Sequence, residues 1–403
     1  MRIGKKVLFF VLLASVFAVD APAQKAFRKI RQALKSAQYD EAIKQVDQCA
    51  QDSTLNSIPK LYNYAVDAYR GINDVENEKI YLKQAYDTAR FFNSVKSMFD
   101  YALKCDEKEI EKGRFRFRNR NRELLLSHYP NLRIAGRYYY RKHDYTTALP
   151  YLEMYVKAAS SPLLAGTDWA RLDPWMPYIG YLSLKSCYRV KRYDDVLRYA
   201  ELALRDSLHR GSTLYYMALT SRIKGNDGDY ERFLRAGLTL APGSPFFFTN
   251  LTDFYLKEGK TDVALALTDS MLRTKPDSPL YLYGKSLALM SAEHYAESIE
   301  AAKQALEFDE DLAGAYYVVG VCYYNLAVRM VRPDHVDMEL YRKTHAQIRD
   351  YYAKARPYLE TFRRLAPDES ARWAPLLYRI YFSLNMGEQF EEIEQLMRTQ
   401  KMR

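Results

Sequence analysis

Positions in this chain repeat every 34 residues, and a period of that length limits the fold more than any other feature of the sequence. Phe248, Leu251, Thr252 and Tyr255 are followed, after Gly259, by Ala264, Thr268, Met271 and Pro276. A shift of 34 forward puts Leu282, Ser286, Leu289, Ser298, Ala302 and Ala305 in corresponding places, and the same shift back puts Leu214, Met217, Ala218, Leu234, Gly237 and Pro242 there. Each unit holds two stretches of about 13 residues with apolar side chains three and four apart, the spacing of amphipathic helices. The stretches are separated by a turn at Gly225, Gly259 or Glu293-His294. Small residues recur on the first helix at Ala218, Thr252, Ser286 and Gly320, where a bulkier side chain would hold the two helices apart. Pro242 and Pro276 help to end the second helix.

This order of aromatic, small, aromatic, Ala and Pro positions resembles the tetratricopeptide repeat family, here in an exported bacterial form. The resemblance implies an all-α fold, a right-handed α-solenoid of helix-turn-helix repeats in which each unit packs only on its neighbours. Residues 211–312 form three units in unbroken register. A fourth begins at 313, but its closing proline is Pro367 instead of position 344, so 23 residues are inserted at about 325–347. Val336, Leu340, Thr344 and Ile348, four apart, predict that the insertion extends both helices of that unit into a projecting hairpin. Leu132, Ala135, Gly136 and Tyr139 with Tyr145, Ala148, Leu152 and Tyr155 make another unit, and Tyr181, Leu184 and Tyr188 with Tyr193, Val196, Ala200 and Ala203 a slightly shortened one. The domain reading is therefore degenerate repeats over 24–159, a loop over 160–177 that holds three Pro and Trp169 and Trp175, and C-terminal repeats over 178–403.

Upstream of the repeats, Arg2, Lys5 and Lys6 precede the apolar run Val7–Val19 and Ala21-Pro22-Ala23, the pattern of a signal peptide over 1–23 cleaved before Gln24. The run is shorter than the roughly 20 apolar residues of a spanning helix, and no later run replaces it, so no transmembrane segment is expected after signal removal. The expected location is the periplasm or cell envelope, with secretion beyond it as the alternative. Cys49, Cys105, Cys187 and Cys322 are too sparse for a disulfide scaffold or a metal knuckle and read as core residues.

Charge is concentrated. Residues 112–142 hold Lys112, Arg114, Arg116, Arg118, Arg120, Arg122, Arg133, Arg137, Arg141 and Lys142 against Glu123 alone, a local net of +9 in a chain of net +10. Such a run projects a positive field over about 8–10 Å in physiological salt. Residues 113–122 alternate Arg with Phe or Asn, which as a strand places Phe115 and Phe117 on one face and as a helix aligns Arg114, Arg118 and Arg122; the repeat context favours the helix.

The resemblance also implies where a partner would lie, in a concave groove walled by the first helices. Its groove positions fall on Arg133, Arg137, Tyr140 and Arg141, then Ser186 and Arg189, Tyr215 and Arg222, Thr249 and Asp253, Tyr283, and Tyr317 and Tyr324. That predicts a wall basic in its N-terminal half and aromatic in its C-terminal half. Arg at such spacings holds carboxylate or phosphate by paired hydrogen bonds and resembles the family's clamp on acidic peptides, although the clamp's Asn and Lys are not at matching positions. Ordinary solvated helix charge is the plain alternative. The expected function is a non-enzymatic protein-interaction scaffold of the cell envelope, with an anionic envelope glycan or lipid on the basic 112–142 region as the alternative. An exported chain rarely meets nucleic acid, so phosphate contacts with base stacking are not the expectation.

The 36 Tyr are explained first by semi-buried positions between helices, and Trp175 by a plug over a solenoid seam or, alternatively, a sugar platform. Enzyme signatures are missing: the sequence has no Gly-rich phosphate loop, no Gly-x-Ser-x-Gly elbow and no His-Glu-x-x-His pair. Asp334, His335, Asp337, Glu339 and His345 could gather a metal, but acids at a helix start are expected anyway, and neither metal nor cofactor is assigned.

Overall fold

The computed structural model describes residues 24–165, 173–330 and 338–401. The signal sequence, Trp169 and the Asp334, His335 and Asp337 part of the insertion lie outside these residues. The described chain is all-α, with no strand among the described residues, and divides into two compact units, the first ending at Asn226 and the second beginning at Asp227.

The first unit contains α1 (24–35), α2 (Tyr39–Ala50), α3 (Pro59–Tyr81), α4 (Thr88–Lys112), α5 (Arg118–Arg141) and α6 (Tyr145–Ala159). It continues with α7 (Met176–Arg189), then α8 (Tyr193–Val196) and α9 (Ala200–Leu204) joined by a 3-10 turn, and α10 (Arg210–Ile223). Each helix packs chiefly on its chain neighbours, as in α3 on α4 and α5 on α6. α6 and α7 also pack together, so the 160–177 loop lies inside this unit and does not border it. The helix after the loop starts at Met176 with Pro177 in its first turn, where a missing N–H costs nothing.

The second unit contains α11 (Asp227–Leu240), α12 (Pro245–Lys257), α13 (Thr261–Thr274), α14 (Pro279–Ser291), α15 (Tyr295–Phe308), α16 (Ala313–Arg329), α17 (Met338–Leu365), α18 (Ser370–Leu384) and α19 (Gly387–Lys401). α12 to α15 are 13 or 14 residues long, whereas α16 has 17 and α17 has 28, so the insertion lengthens both helices of its hairpin. At the base of that hairpin Thr344 and Ile348 are buried, and Ile348 shares a cluster with Ala327 and Tyr352, while Leu340 stands half exposed.

The period is written into the backbone. Lys191, Gly225, Gly259 and Glu293, each 34 residues after the last, all have left-handed φ between 62° and 68°. For Lys191 and Glu293 that conformation costs roughly 1–2 kcal/mol, which only a turn required by the packed helices on either side would sustain. The small positions do what the spacing implies: a Cβ on Gly136 would sit 2.5 Å from Leu152 Cδ2, and one on Gly320 2.5 Å from Leu359 Cγ. The same closeness occurs at Gly180, where a Cβ would lie 2.7 Å from Leu202 Cγ. Lys191 and Gly180 together correct one reading: the repeat at 177–210 is a full 34 residues, not a shortened one, and its first helix aligns through Gly180, not Tyr181.

Candidate functional site

The arginine run at 113–122 is neither a strand nor one helical stripe. Gly113 ends α4 in the left-handed conformation, residues 114–117 form a connection, and α5 begins at Arg118. Glu109, 1% exposed, shapes that connection by accepting hydrogen bonds from the Arg116 N–H at 2.6 Å and the Phe117 N–H at 2.8 Å through Oε1. Three of the arginines are then consumed internally. Arg118 lies 3.5 Å from buried Asp106 and donates to the Pro162 carbonyl at 2.6 Å, Arg120 pairs with Asp67, and Arg122 Nε donates to the Leu163 carbonyl at 2.9 Å. Burial pushes the Asp106 carboxyl above its ordinary range, and Arg118 opposes that. Arg114 and Arg116 remain exposed, the latter beside the Phe117 ring.

A different surface of the first unit gathers cations that no carboxylate neutralises. Arg133 lies 4.0 Å above the Trp175 ring, and Arg137 lies 5.5 Å from Trp175 and 5.8 Å from Tyr178. Along α7, Lys185 sits 5.5 Å from the Tyr140 ring and 6.0 Å from Tyr216. Arg189 lies 5.9 Å from Tyr145 and hydrogen-bonds Tyr216. Arg141 is exposed at the end of α5. Among the described residues no ion pair joins Arg133, Arg137, Arg141, Lys185 or Arg189 to an acid. Stacked guanidinium and ammonium groups of this kind are held in place while keeping their donors for a ligand. Burial, then the charge of Arg189, lowers the Lys185 pKa, and burial raises that of the Tyr140 hydroxyl.

Trp175 has a built support. Asp173, 9% exposed, accepts from the Tyr155 hydroxyl at 2.5 Å and from the Trp175 N–H at 3.0 Å, and Tyr155 in turn stacks on Tyr129 with ring centroids 4.1 Å apart. The loop end is thereby tied to the core between α5 and α6, which sets the indole under the α5 arginines.

One expected groove residue is misplaced. Ser186 is fully buried, because the Gly180 register turns it into the core; the positions that align with Tyr215 and Leu219 are Tyr181 and Lys185. Lys185 was legible in the sequence as Leu219 minus 34 and was missed because Tyr181 imitates the aromatic that the next units carry at that place. Tyr215 packs edge-on against Tyr216 at 5.1 Å, and Arg222 is exposed at the end of α10.

In the second unit Asp253, Tyr283 and Tyr317 lie on α12, α14 and α16. Burial pushes the Tyr283 hydroxyl pKa up, with Arg372, Asp253, Glu369 and Tyr317 all near enough to act on it. Arg372 covers the Tyr317 ring at 3.9 Å and pairs with Glu369. This aromatic group is thus already paired with a cation from its own unit. Among the described residues no cluster of His, Cys, Asp or Glu is arranged to hold a metal ion, and no helix is long and apolar enough to cross a membrane.

No family model matches the chain, and comparison with curated proteins finds no relative. Among solved structures it is similar to the C-terminal part of a TPR repeat-containing protein from Cytophaga hutchinsonii, at 12% identity and a TM-score of 0.43, over 65% of this chain and 92% of that one. It is similar to a TPR repeats protein from Bacteroides fragilis at 16% identity and a TM-score of 0.31, over 66% of this chain and 98% of that one. YrrB, a TPR protein with an unusual peptide-binding site, is similar at 13% identity and a TM-score of 0.34, over 51% of this chain and 94% of that one. The hairpins of this chain itself, with left-handed turns at Lys191, Gly225, Gly259 and Glu293 and close helix contacts at Gly136 and Gly320, make it an α-solenoid of the tetratricopeptide-repeat type.

Proposed function

We propose that this chain is a non-enzymatic interaction scaffold of the cell envelope that holds an acidic segment of a protein partner on the α5, α7 and α10 face of its first unit. One observation carries the reading: Arg133, Arg137, Lys185 and Arg189 rest on aromatic rings instead of carboxylates, which leaves their donors to an anionic partner. Charge-assisted hydrogen bonds contribute about 1.5–3 kcal/mol each, enough for a few of them to hold a peptide. The basic, apolar opening of residues 2–19 supports export.

The test is titration of the full chain with a fluorescein-labelled heptapeptide of Glu and Asp. The Lys185→Gln/Arg189→Gln variant is expected to keep its melting temperature within a few degrees and to weaken binding at least about tenfold, the equivalent of about 1.4 kcal/mol. Unchanged affinity in a folded variant would remove this face from consideration.

A further inference from the structure

Beside the stacked cations, a cavity of about 540 Å³ opens in the first unit between the end of the 160–177 loop and the turn that joins α9 to α10. It falls within the range of about 300–1,000 Å³ that ligand sites occupy. Its walls separate by chemistry. Trp175, Tyr178 and Leu208 supply apolar surface, His209 one end, and Arg137 and Arg205 the charge. Leu208 is 83% exposed and Trp175 41% exposed, so two large apolar side chains stand open to solvent at the mouth of one cavity.

Neither is loosely placed. Asp206 accepts from the Leu208 N–H at 3.1 Å and bonds His209 Nδ1 at 2.9 Å, and the His209 ring stacks on Tyr181 at 4.2 Å. Trp175 is held from below through Asp173. The polar side is unfilled: Arg137 Nε is buried without a hydrogen-bond partner, and among the described residues no acid pairs with Arg205. Asp206, the carboxylate of the cavity wall, is occupied by the turn and by His209. The site therefore combines a fixed apolar slot with uncompensated positive charge at its edge, which is complementary to an apolar side chain flanked by carboxylates.

We infer that this cavity takes one bulky apolar side chain of phenylalanine or leucine size from the acidic segment, with an adjacent carboxylate on Arg137 and Arg205. The inference rests on the proposed scaffold function and adds to it what the bound segment must contain: acidity alone fills the cation face, and the apolar anchor sets position and specificity. An exposed leucine at a solvent-facing turn contributes little to the fold, so its role is separable from stability.

The experiment uses the full chain and three fluorescein-labelled heptapeptides: one of Glu and Asp with a central Phe, the same with a central Gly, and the Phe peptide with every acid replaced by Lys. The expected result is that the acidic Phe peptide binds at least about tenfold tighter than the acidic Gly peptide. Leu208→Asp, with an unchanged melting temperature, is expected to bring the two within about twofold, and the Lys peptide to bind more weakly than either. Lys185→Gln/Arg189→Gln, outside the cavity, is expected to weaken both acidic peptides by the same factor. Equal affinity for Phe and Gly peptides, or a Phe preference that survives Leu208→Asp, overturns the anchor while the acidic-segment reading stands. Failure of both acidic peptides to bind, or a Lys peptide that binds as well as its acidic counterpart, overturns that reading and the anchor together.

Discussion

Gly320 stands where α16 comes closest to α17, and its missing side chain is what allows the approach. A glycine inside a helix gives up about 1 kcal/mol relative to alanine, so its use there has to be repaid by packing. Leu359 occupies the space a Cβ would need. Gly320→Leu is expected to cost on the order of 1–3 kcal/mol by overpacking, against little for Glu258→Leu at an exposed position. Thermal melts of the two variants check this; equal melting temperatures would contradict the helix contact. The thiols give a second residue-scale outcome. All four are free, and burial pushes Cys105 and Cys187 up to about 12 and Cys322 to about 11. Cys49 is half-buried on α2. Because the thiolate is the reactive form, a thiol reagent at neutral pH is expected to modify Cys49 alone in the native chain and all four in guanidinium. A native count of two or more would show that one of the three buried sites opens.

At the level of elements, the α4–α5 connection depends on a single side chain. Glu109→Ala leaves the N–H groups of Arg116 and Phe117 without their acceptor and is expected to destabilise the chain by about 1–3 kcal/mol, with Glu109→Gln costing less because one acceptor oxygen remains. Chemical denaturation of both variants measures the difference; equal losses would mean that charge, not the pair of hydrogen bonds, matters at this site. The same connection shows what could be read beforehand. Repeat length, helix pairing and the lengthened insertion hairpin are local matters of spacing, and the 34-residue period displays them directly. The fate of the arginines is not local: Asp67 lies 53 residues from Arg120, and the Pro162 carbonyl 44 residues from Arg118. A composition window reports ten bases against one acid because the neutralising groups arrive from α3, α4 and the loop. Lys185 was hidden for another reason. Two adjacent candidates, Gly180 and Tyr181, compete for one repeat position, and only the left-handed turn at Lys191 decides between them.

For the whole molecule, charge has to be counted by what each cation faces and not by where it falls in the chain. The run at 112–142 has a net of +9, yet Arg118 and Arg120 are paired with Asp106 and Asp67, acids from outside it. Arg122 is bound to a carbonyl. The field that a partner meets should therefore come from Arg133, Arg137, Arg141, Lys185 and Arg189, and less from the connection at 114–117. This distinction can be measured through salt. The screening length shortens from about 14 Å at 0.05 M to about 6 Å at 0.3 M, so binding that depends on several exposed cations loses affinity steeply over that interval. With the acidic heptapeptide as probe, Arg114→Gln/Arg116→Gln is expected to stay within about twofold of the parent at both concentrations. Lys185→Gln/Arg189→Gln is expected to bind at least about tenfold more weakly at the lower one and to show a shallower salt dependence, because two of the screened contacts are gone. The opposite pattern, a large loss from the 114 and 116 pair and none from the 185 and 189 pair, would move the anion-binding surface to the α4–α5 connection and make an anionic glycan or lipid the ligand to pursue.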